Sequence, residues 1–185
     1  MATLGPPQQA VALLRQALVL NPLCAGCYDR LARYLPALDQ LDAAEQAARK
    51  ALEIHPTGYF TRAQLVHINA LRGDAKSALH DAKQELADQW RDLTMAYALQ
   101  IGGDRKRANA ALQRLIESSA GNAAFQIAEV YALRHGPGNV FKWLECARTN
   151  HDPGIQLLLT DVAILRYHRD PGFAAFCKKV GLPNT

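Results

Sequence analysis

Apolar side chains recur along the chain at the spacing of amphipathic helices. One stretch has apolar residues at offsets 0, 3, 4 and 7: Tyr28, Leu31, Ala32 and Leu35. Residues with this spacing lie on one face of an α-helix, because the helix turns about once every 3.6 residues. The stretch therefore predicts a helix that buries one face and exposes the other.

A second pattern occurs twice, 34 residues apart. It combines small and large residues with a closing proline at offsets 0, 4, 7 and 12: Ala10, Leu14, Ala17 and Pro22, then Ala44, Ala48, Ala51 and Pro56. Small residues let two helix backbones approach closely, and the proline prevents the second helix from continuing. The repeat predicts an all-α chain built from antiparallel helix pairs.

Glycine and aspartate mark the turns between the predicted helices. The two pairs are Gly73-Asp74 and Gly103-Asp104. In each pair the glycine accepts the left-handed conformation at the end of one helix, and the aspartate is a good N-cap for the next helix. His135 stands at the corresponding glycine position of a later turn. The same kind of turn is therefore expected at the first two places, and a looser turn is expected at the third, where Gly136-Pro137-Gly138 follows His135.

The helix pairs resemble the tetratricopeptide repeat, whose second helix carries the same order of small, large and small residues before a proline. The resemblance implies a single domain over residues 1–185, folded as an α-α superhelix or solenoid. It comprises a partial repeat at 7–22, repeats at 25–58, 59–88, 89–120 and 121–154, and a pair of capping helices at 155–181. Asp170-Pro171 predicts the start of the final capping helix. The partial repeat has the pattern of a second helix without its first, which indicates either an excised fragment or a missing neighbour.

The second half of the chain also resembles the C-terminal repeat region of bacterial multidomain regulators. The likeness is carried by the segments WRDLTMAYAL, AAFQIAEVYALR, FKWLECA and DPGFAAFCKKVGLP. In such regulators, tetratricopeptide arrays follow a nucleotide-cyclase or winged-helix DNA-binding module. The resemblance implies a regulatory interaction module, and it transfers no cyclase or DNA-binding residue to this chain.

In a superhelix of helix pairs, the first helix of each pair lines the concave wall. Counting along the repeat places the groove candidates at Asp29, Arg33, Phe60, His67, Trp90, Tyr97, Gln100, Phe125 and Glu129. Aromatic anchors with charged neighbours suit a peptide or helix of a protein partner. Trp90 and Phe125 have a second interpretation, as core residues between repeats. One variant of the family clamps chaperone tails, but Asp29 and Arg33 replace the lysine and asparagine that this role needs.

Little in the sequence indicates catalysis. There is no phosphate loop, GxSxG motif or dinucleotide fingerprint, and the six histidines lack a paired spacing such as HExxH. We therefore expect no enzyme activity, no cofactor and no metal. Four cysteines are too sparse for a disulfide scaffold, which favours a reducing cytoplasm. Cys24 and Cys27 are interpreted as small residues at a helix start, with a thiol or metal site as the weaker alternative.

The formal net charge of +4 is concentrated in the second half of the chain. Residues 1–92 carry 10 basic and 10 acidic side chains, whereas residues 93–185 carry 11 and 7. This excess favours an acidic protein partner or segment. The basic clusters at 105–107 and 178–179 could contact nucleic acid, but solvated helix ends explain them better.

Two function classes remain for a chain with these features. The first is a protein-interaction module that binds a peptide or helix within a regulatory or assembly system. The second is a homo-oligomerisation module of a parent regulator. A membrane-spanning role is not predicted, because no apolar run reaches about 20 residues.

Overall fold

The computed structural model describes residues 6–58 and 60–182, except for the side chain of Gln89. Within these residues it contains eleven α-helices, two short 3-10 segments and no strand. The α-helices are α1 (Pro7–Leu20), α2 (Ala25–Tyr34), α3 (Leu41–Ile54), α4 (Thr61–Arg72), α5 (Ala75–Lys83), α6 (Asp88–Gln100), α7 (Arg105–Ser119), α8 (Ala124–Leu133), α9 (Pro137–Thr149), α10 (Val162–Leu165) and α11 (Pro171–Val180). The expected all-α class is confirmed, and no helix in the described ranges is long and apolar enough to cross a membrane.

The helices pack mainly against their neighbours in sequence. Helix α2 packs on α3, α4 on α5, α6 on α7 and α8 on α9. The first helices of these pairs also touch in order, since α2 contacts α4, α4 contacts α6 and α6 contacts α8. We refer to α2, α4, α6 and α8 as the first-helix row. The predicted ranges at 25–58, 59–88 and 121–154 each contain one of these pairs, and the range 89–120 contains the pair of α6 and α7 apart from Asp88, the first residue of α6.

Small side chains set the distance between α2 and α3. Ala44 and Ala48 of α3 are fully buried in a cluster that also holds Leu31, Ala32 and Leu35. Alanines at these positions allow the two backbones to approach while the leucines fill the space beside them. The predicted contact between these two helices is confirmed.

The predicted turns have the expected backbone conformations. Gly73 and Gly103 have φ values of +77° and +79°, in the left-handed region where glycine is not strained. The aspartate after each glycine accepts a hydrogen bond from the backbone N–H three residues later, at 3.0 Å in both turns. His135 adopts a φ of +58° at the third such turn. The first two turns therefore match the glycine-aspartate pattern, whereas the third has Gly136 at the N-cap position of α9 and no side-chain cap.

The expectation of two capping helices over 155–181 is wrong for the first of them. Residues Pro153–Leu157 form a 3-10 segment and α10 has only four residues. The reason is that Asp152 holds this segment in a turn: its Oδ1 accepts from the Gly154 N–H at 2.8 Å, and its Oδ2 accepts from the Phe125 N–H at 2.9 Å. Because Phe125 lies on α8, these bonds tie the segment to the first-helix row.

The second capping helix is present as predicted. Asp170 caps α11 by accepting from the Gly172 N–H at 2.8 Å, and Pro171 occupies the first helical position. Gly181 ends the helix with a φ of +71°. Both ends of α11 therefore follow local rules for helix termini.

Gly154 provides a test of how the 153–157 segment packs. A Cβ atom on Gly154 would lie 2.6 Å from Phe125 Cβ, and the Phe125 side chain is fully buried and cannot move aside. We expect Gly154→Ala to lower the free energy of unfolding by about 1–3 kcal/mol, measured by urea denaturation. Gly138→Ala is the matched control, because a Cβ there meets no atom within 4 Å. Equal stability of the two variants would contradict the contact with α8.

Candidate functional site

Four polar side chains from different parts of the chain meet beside the first-helix row. His67 lies on α4, Tyr97 on α6 and Glu129 on α8, while Asp161 directly precedes α10. The first three are predicted groove residues, and the structure brings them together. Asp161 is not among the predicted residues. The other three are 30 and 32 residues apart, and Asp161 follows Glu129 by a further 32 residues. We refer to these four residues as the polar cluster.

Each member of the polar cluster faces another member. The Tyr97 hydroxyl donates a hydrogen bond to the Glu129 carboxylate. The His67 ring stacks on the Tyr97 ring with centroids 4.7 Å apart. His67 Nδ1 lies 4.0 Å from Asp161 Oδ2, which is beyond hydrogen-bond distance. His67, Glu129 and Asp161 each place one nitrogen or oxygen atom within 4.8 Å of the other two, the spacing of a potential metal site.

Burial changes the proton affinities of the cluster. The pKa of Glu129 is raised well above its ordinary value, because burial disfavours the carboxylate and Asp161 repels it. The Tyr97 hydrogen bond and the Arg33 charge lower this pKa, but they offset only part of the rise. Burial lowers the pKa of His67, Asp161 opposes that shift, and Arg166 adds to it. These shifts favour a protonated Glu129 and a neutral imidazole.

A small cavity of about 40 Å³ adjoins the cluster. A water molecule needs about 10–15 Å³ of such space, so the cavity has room for water or an ion beside the cluster. Residues of the 157–162 segment form part of its wall, opposite α2 and α4: Leu157, Thr160, Asp161 and Val162. This segment therefore lies over the polar cluster.

A second group of predicted residues remains partly exposed near α2 and α4. The Thr61 hydroxyl donates to Asp29 Oδ1 at 2.7 Å, and Arg33 lies 3.9 Å from Asp29. The Arg33 guanidinium also lies over the Phe60 ring, 5.7 Å from its centroid. Phe60 meets Trp90 edge to face with centroids 5.1 Å apart. These side chains form a continuous row that solvent still reaches.

Three predicted groove residues are not open to a partner. Tyr97, Phe125 and Glu129 are 1%, 0% and 4% exposed. The expectation that they face an open groove is wrong, because the first-helix row packs closely and the 152–162 segment covers its α8 end. Phe125 lies in the core, as its second interpretation predicts. Gln100 is partly exposed and accepts a hydrogen bond from Arg134.

The two cysteines at the start of α2 have the predicted position and an additional bond. Cys24 and Cys27 lie at a helix start, as interpreted, and they are joined by a disulfide that the sequence analysis does not predict. Their position explains the pairing, since Cys24 is the N-cap of α2 and Cys27 lies on its first turn, with the two Cα atoms 5.3 Å apart. Cys146 and Cys177 are free, the first partly exposed and the second buried.

Glu129 predicts a pH dependence of stability. A carboxyl whose pKa is raised on folding binds its proton more tightly in the folded state, so the free energy of unfolding falls as pH rises from the unfolded pKa to the folded one. Glu129→Gln keeps an acceptor for Tyr97 and removes this titration. Over that pH interval we expect the variant to gain stability relative to the parent protein, by up to about 1.4 kcal/mol per pH unit.

The measurement is urea denaturation of both proteins at a series of pH values from acid to neutral. Glu117→Gln is the control, because it removes the same charge at an exposed position. Parallel stability curves for Glu129→Gln and the parent protein would contradict the burial of this carboxyl.

The four cysteines predict a specific pattern of alkylation. Without reductant, we expect iodoacetamide to modify Cys146 in the folded protein. Cys177 should react only after unfolding, because burial both blocks access and raises the pKa of its thiol. Cys24 and Cys27 should react only after reduction. Peptide mass spectrometry measures all four, and labelling of Cys24 or Cys27 without reductant would contradict the disulfide.

Comparison with known proteins identifies no relative of this chain. No known family model matches the chain, and no curated protein or solved structure shows significant similarity to it. The tetratricopeptide relationship therefore stays a prediction. The polar cluster, the segment over it and the exposed surfaces are the features from which a function can be inferred.

Proposed function

We propose that this chain is a non-catalytic protein-interaction module of the tetratricopeptide type, whose helix pairs stack as a superhelix within a regulatory or assembly system. The order of the pairs supports this proposal, because the first helices contact one another in sequence. The recurring glycine-aspartate turn between helices supports it as well. A non-catalytic role agrees with the sequence, which has no phosphate loop, GxSxG motif or dinucleotide fingerprint.

The observation that carries the proposal is an exposed apolar face at the N-terminal end. Four of the five strongly exposed large apolar side chains in the described residues lie on or just after α1: Leu13 at 65%, Val19 at 81%, Leu20 at 87% and Leu23 at 70%. The opposite face of α1 already packs on α2. Large apolar groups concentrated in this way are typical of a protein interface.

We infer that a second copy of this chain covers the face. Helix α1 carries one charged residue, Arg15, so two copies can approach with little charge repulsion. Leu13 and Leu20 are seven residues apart and lie within about 20° of each other around the helix. An antiparallel pair of α1 helices around a two-fold axis would place Leu13 of one copy against Leu20 of the other.

The energy of such a contact is of the order that association requires. Burying one exposed leucine contributes about 1.5–3 kcal/mol. Leu13 and Leu20 of two copies supply four such side chains, against the roughly 4–15 kcal/mol that association costs in lost motion. The margin is small, so the dimer should dissociate on dilution.

A peptide bound in the groove is the second candidate function. The partly exposed row of Asp29, Arg33, Phe60 and Trp90 favours it, since aromatic and arginine side chains are common anchors for peptides. Because the 157–162 segment lies over the polar cluster, the peptide would lie along α2 and α4. Arg33 suits an acidic residue in that peptide.

Sedimentation equilibrium at a series of protein concentrations tests the self-association. We expect a reversible dimer for the parent protein and a monomer for the double variant Leu13→Glu, Leu20→Glu, because two buried carboxylates in each copy would oppose pairing. Leu86→Glu is the matched control, since Leu86 is 67% exposed away from α1. It should dimerise like the parent protein.

Two results would contradict pairing through α1. One is a parent protein that stays monomeric at every concentration. The other is a double variant that dimerises as well as the control. Circular dichroism should show the same helix content for all variants, because the replaced side chains are exposed.

A further inference from the structure

We propose that His67, Glu129 and Asp161 bind a divalent transition-metal ion, in a site separate from the protein interaction proposed above. One atom from each side chain lies within 4.8 Å of the corresponding atoms of the other two. The three residues come from α4, α8 and the start of α10, so the fold assembles the site from three distant parts of the chain.

The type of donor atom favours a transition metal. One imidazole nitrogen and two carboxylate oxygens form a mixed set that suits Zn²⁺, Fe²⁺ or Mn²⁺. Calcium requires six or more oxygen donors, and magnesium keeps an octahedral oxygen shell, which this group does not provide. Three protein ligands and one water would complete the tetrahedral shell of Zn²⁺. Zn²⁺ is therefore the ion with which the binding experiment below probes the site.

His67 lacks the hydrogen bonds that a buried imidazole normally makes. Its Nδ1 atom lies 4.0 Å from Asp161 Oδ2, and its buried Nε2 atom has no partner among the described residues. The 4.0 Å gap is too long for a hydrogen bond and a few tenths of an ångström longer than the roughly 3.3–3.6 Å between two ligands of a tetrahedral ion with bonds of about 2.0–2.2 Å. A small shift of the imidazole would therefore let both atoms bind one ion.

Neighbouring groups hold both carboxylates. Asp161 Oδ1 accepts from the Ile164 N–H at 2.8 Å, so Oδ2 is the oxygen that faces His67. Tyr97 donates to Glu129 Oε2, and the Glu129 carboxyl also meets the Asp161 carboxyl, so a metal ion would take the place of that second contact. Hydrogen bonds of this kind orient metal ligands and commonly contribute 10- to 100-fold to affinity, a rough range.

The charges of the site are also suited to a cation. The carboxyl groups of Glu129 and Asp161 lie close together, with one oxygen of each within 4.8 Å of the other. A divalent ion between them would be attracted by both. Arg33 and Arg166 act against a cation, but each lies outside the set of three ligands.

The space beside the three ligands is large enough for an ion. His67, Glu129 and Asp161 all line a cavity of about 40 Å³, which accommodates a metal ion with a bound water. The donors and the space are therefore both compatible with an inorganic ion.

Equilibrium dialysis of the untagged full chain against Zn²⁺, with metal measured by plasma mass spectrometry, tests the site. We expect one equivalent per chain for the parent protein and at least a 100-fold weaker affinity for His67→Gln, Glu129→Gln and Asp161→Asn. Tyr97→Phe should bind 10- to 100-fold more weakly, because it removes only the orienting hydrogen bond. Co²⁺ in place of Zn²⁺ should give the visible absorption of a tetrahedral site.

Control variants separate this site from other sources of binding. His80→Gln removes an exposed histidine, and Cys24→Ser with Cys27→Ser removes the only nearby cysteine pair; both should bind Zn²⁺ like the parent protein. Leu13→Glu with Leu20→Glu should also bind normally, so failure of the dimer would not imply failure of the metal site.

Three results would overturn the proposal. The parent protein could bind no Zn²⁺ tightly, His67→Gln and Asp161→Asn could both keep full affinity, or binding could disappear only in the cysteine variant. Circular dichroism checks the fold of each variant. If a ligand variant misfolds, Tyr97→Phe still tests the site by its Zn²⁺ affinity. This variant retains the ring that stacks on His67, so it should fold like the parent protein.

Discussion

A helix in this protein buries its apolar face only by packing against a neighbouring helix, and the whole arrangement depends on that constraint. Helices as short as α2 and α5, with 10 and 9 residues, are marginal by themselves in water. Alanines such as Ala44 and Ala48 allow the close approach that makes pairing favourable. Because the first helices then stack in order, residues about 30 positions apart in sequence become neighbours in space.

The stacking explains both the polar cluster and its enclosure. His67, Tyr97 and Glu129 occupy comparable positions on successive first helices, so they meet on the same side of the row. Asp152 then ties the following segment to the start of α8 through two backbone N–H groups. That connection brings Asp161 to the cluster and covers residues that would otherwise line an open groove.

Two features of the structure do not serve the stability of a single isolated chain. Burial of Glu129 beside Asp161 opposes ionisation, and the Nε2 atom of His67 lacks a partner in the described part of the chain. The apolar face of α1, with Leu13 and Leu20, is left in water. Departures of this kind are typical of places where a protein binds something, and they are the basis of the two proposals.

Local sequence determined the helices and their ends. The apolar spacing, the conformations of Gly73 and Gly103 and the cap of α11 follow from interactions within a few residues, so they could be predicted without a structure. The spacing also identified three of the four members of the polar cluster. Only the tertiary structure decided that the 157–162 segment lies over the polar cluster, that Asp161 joins the cluster and that α10 is short. Each of these depends on contacts between distant segments, such as Asp152 with Phe125, and the pattern of one segment carries no information about which other segment it will meet.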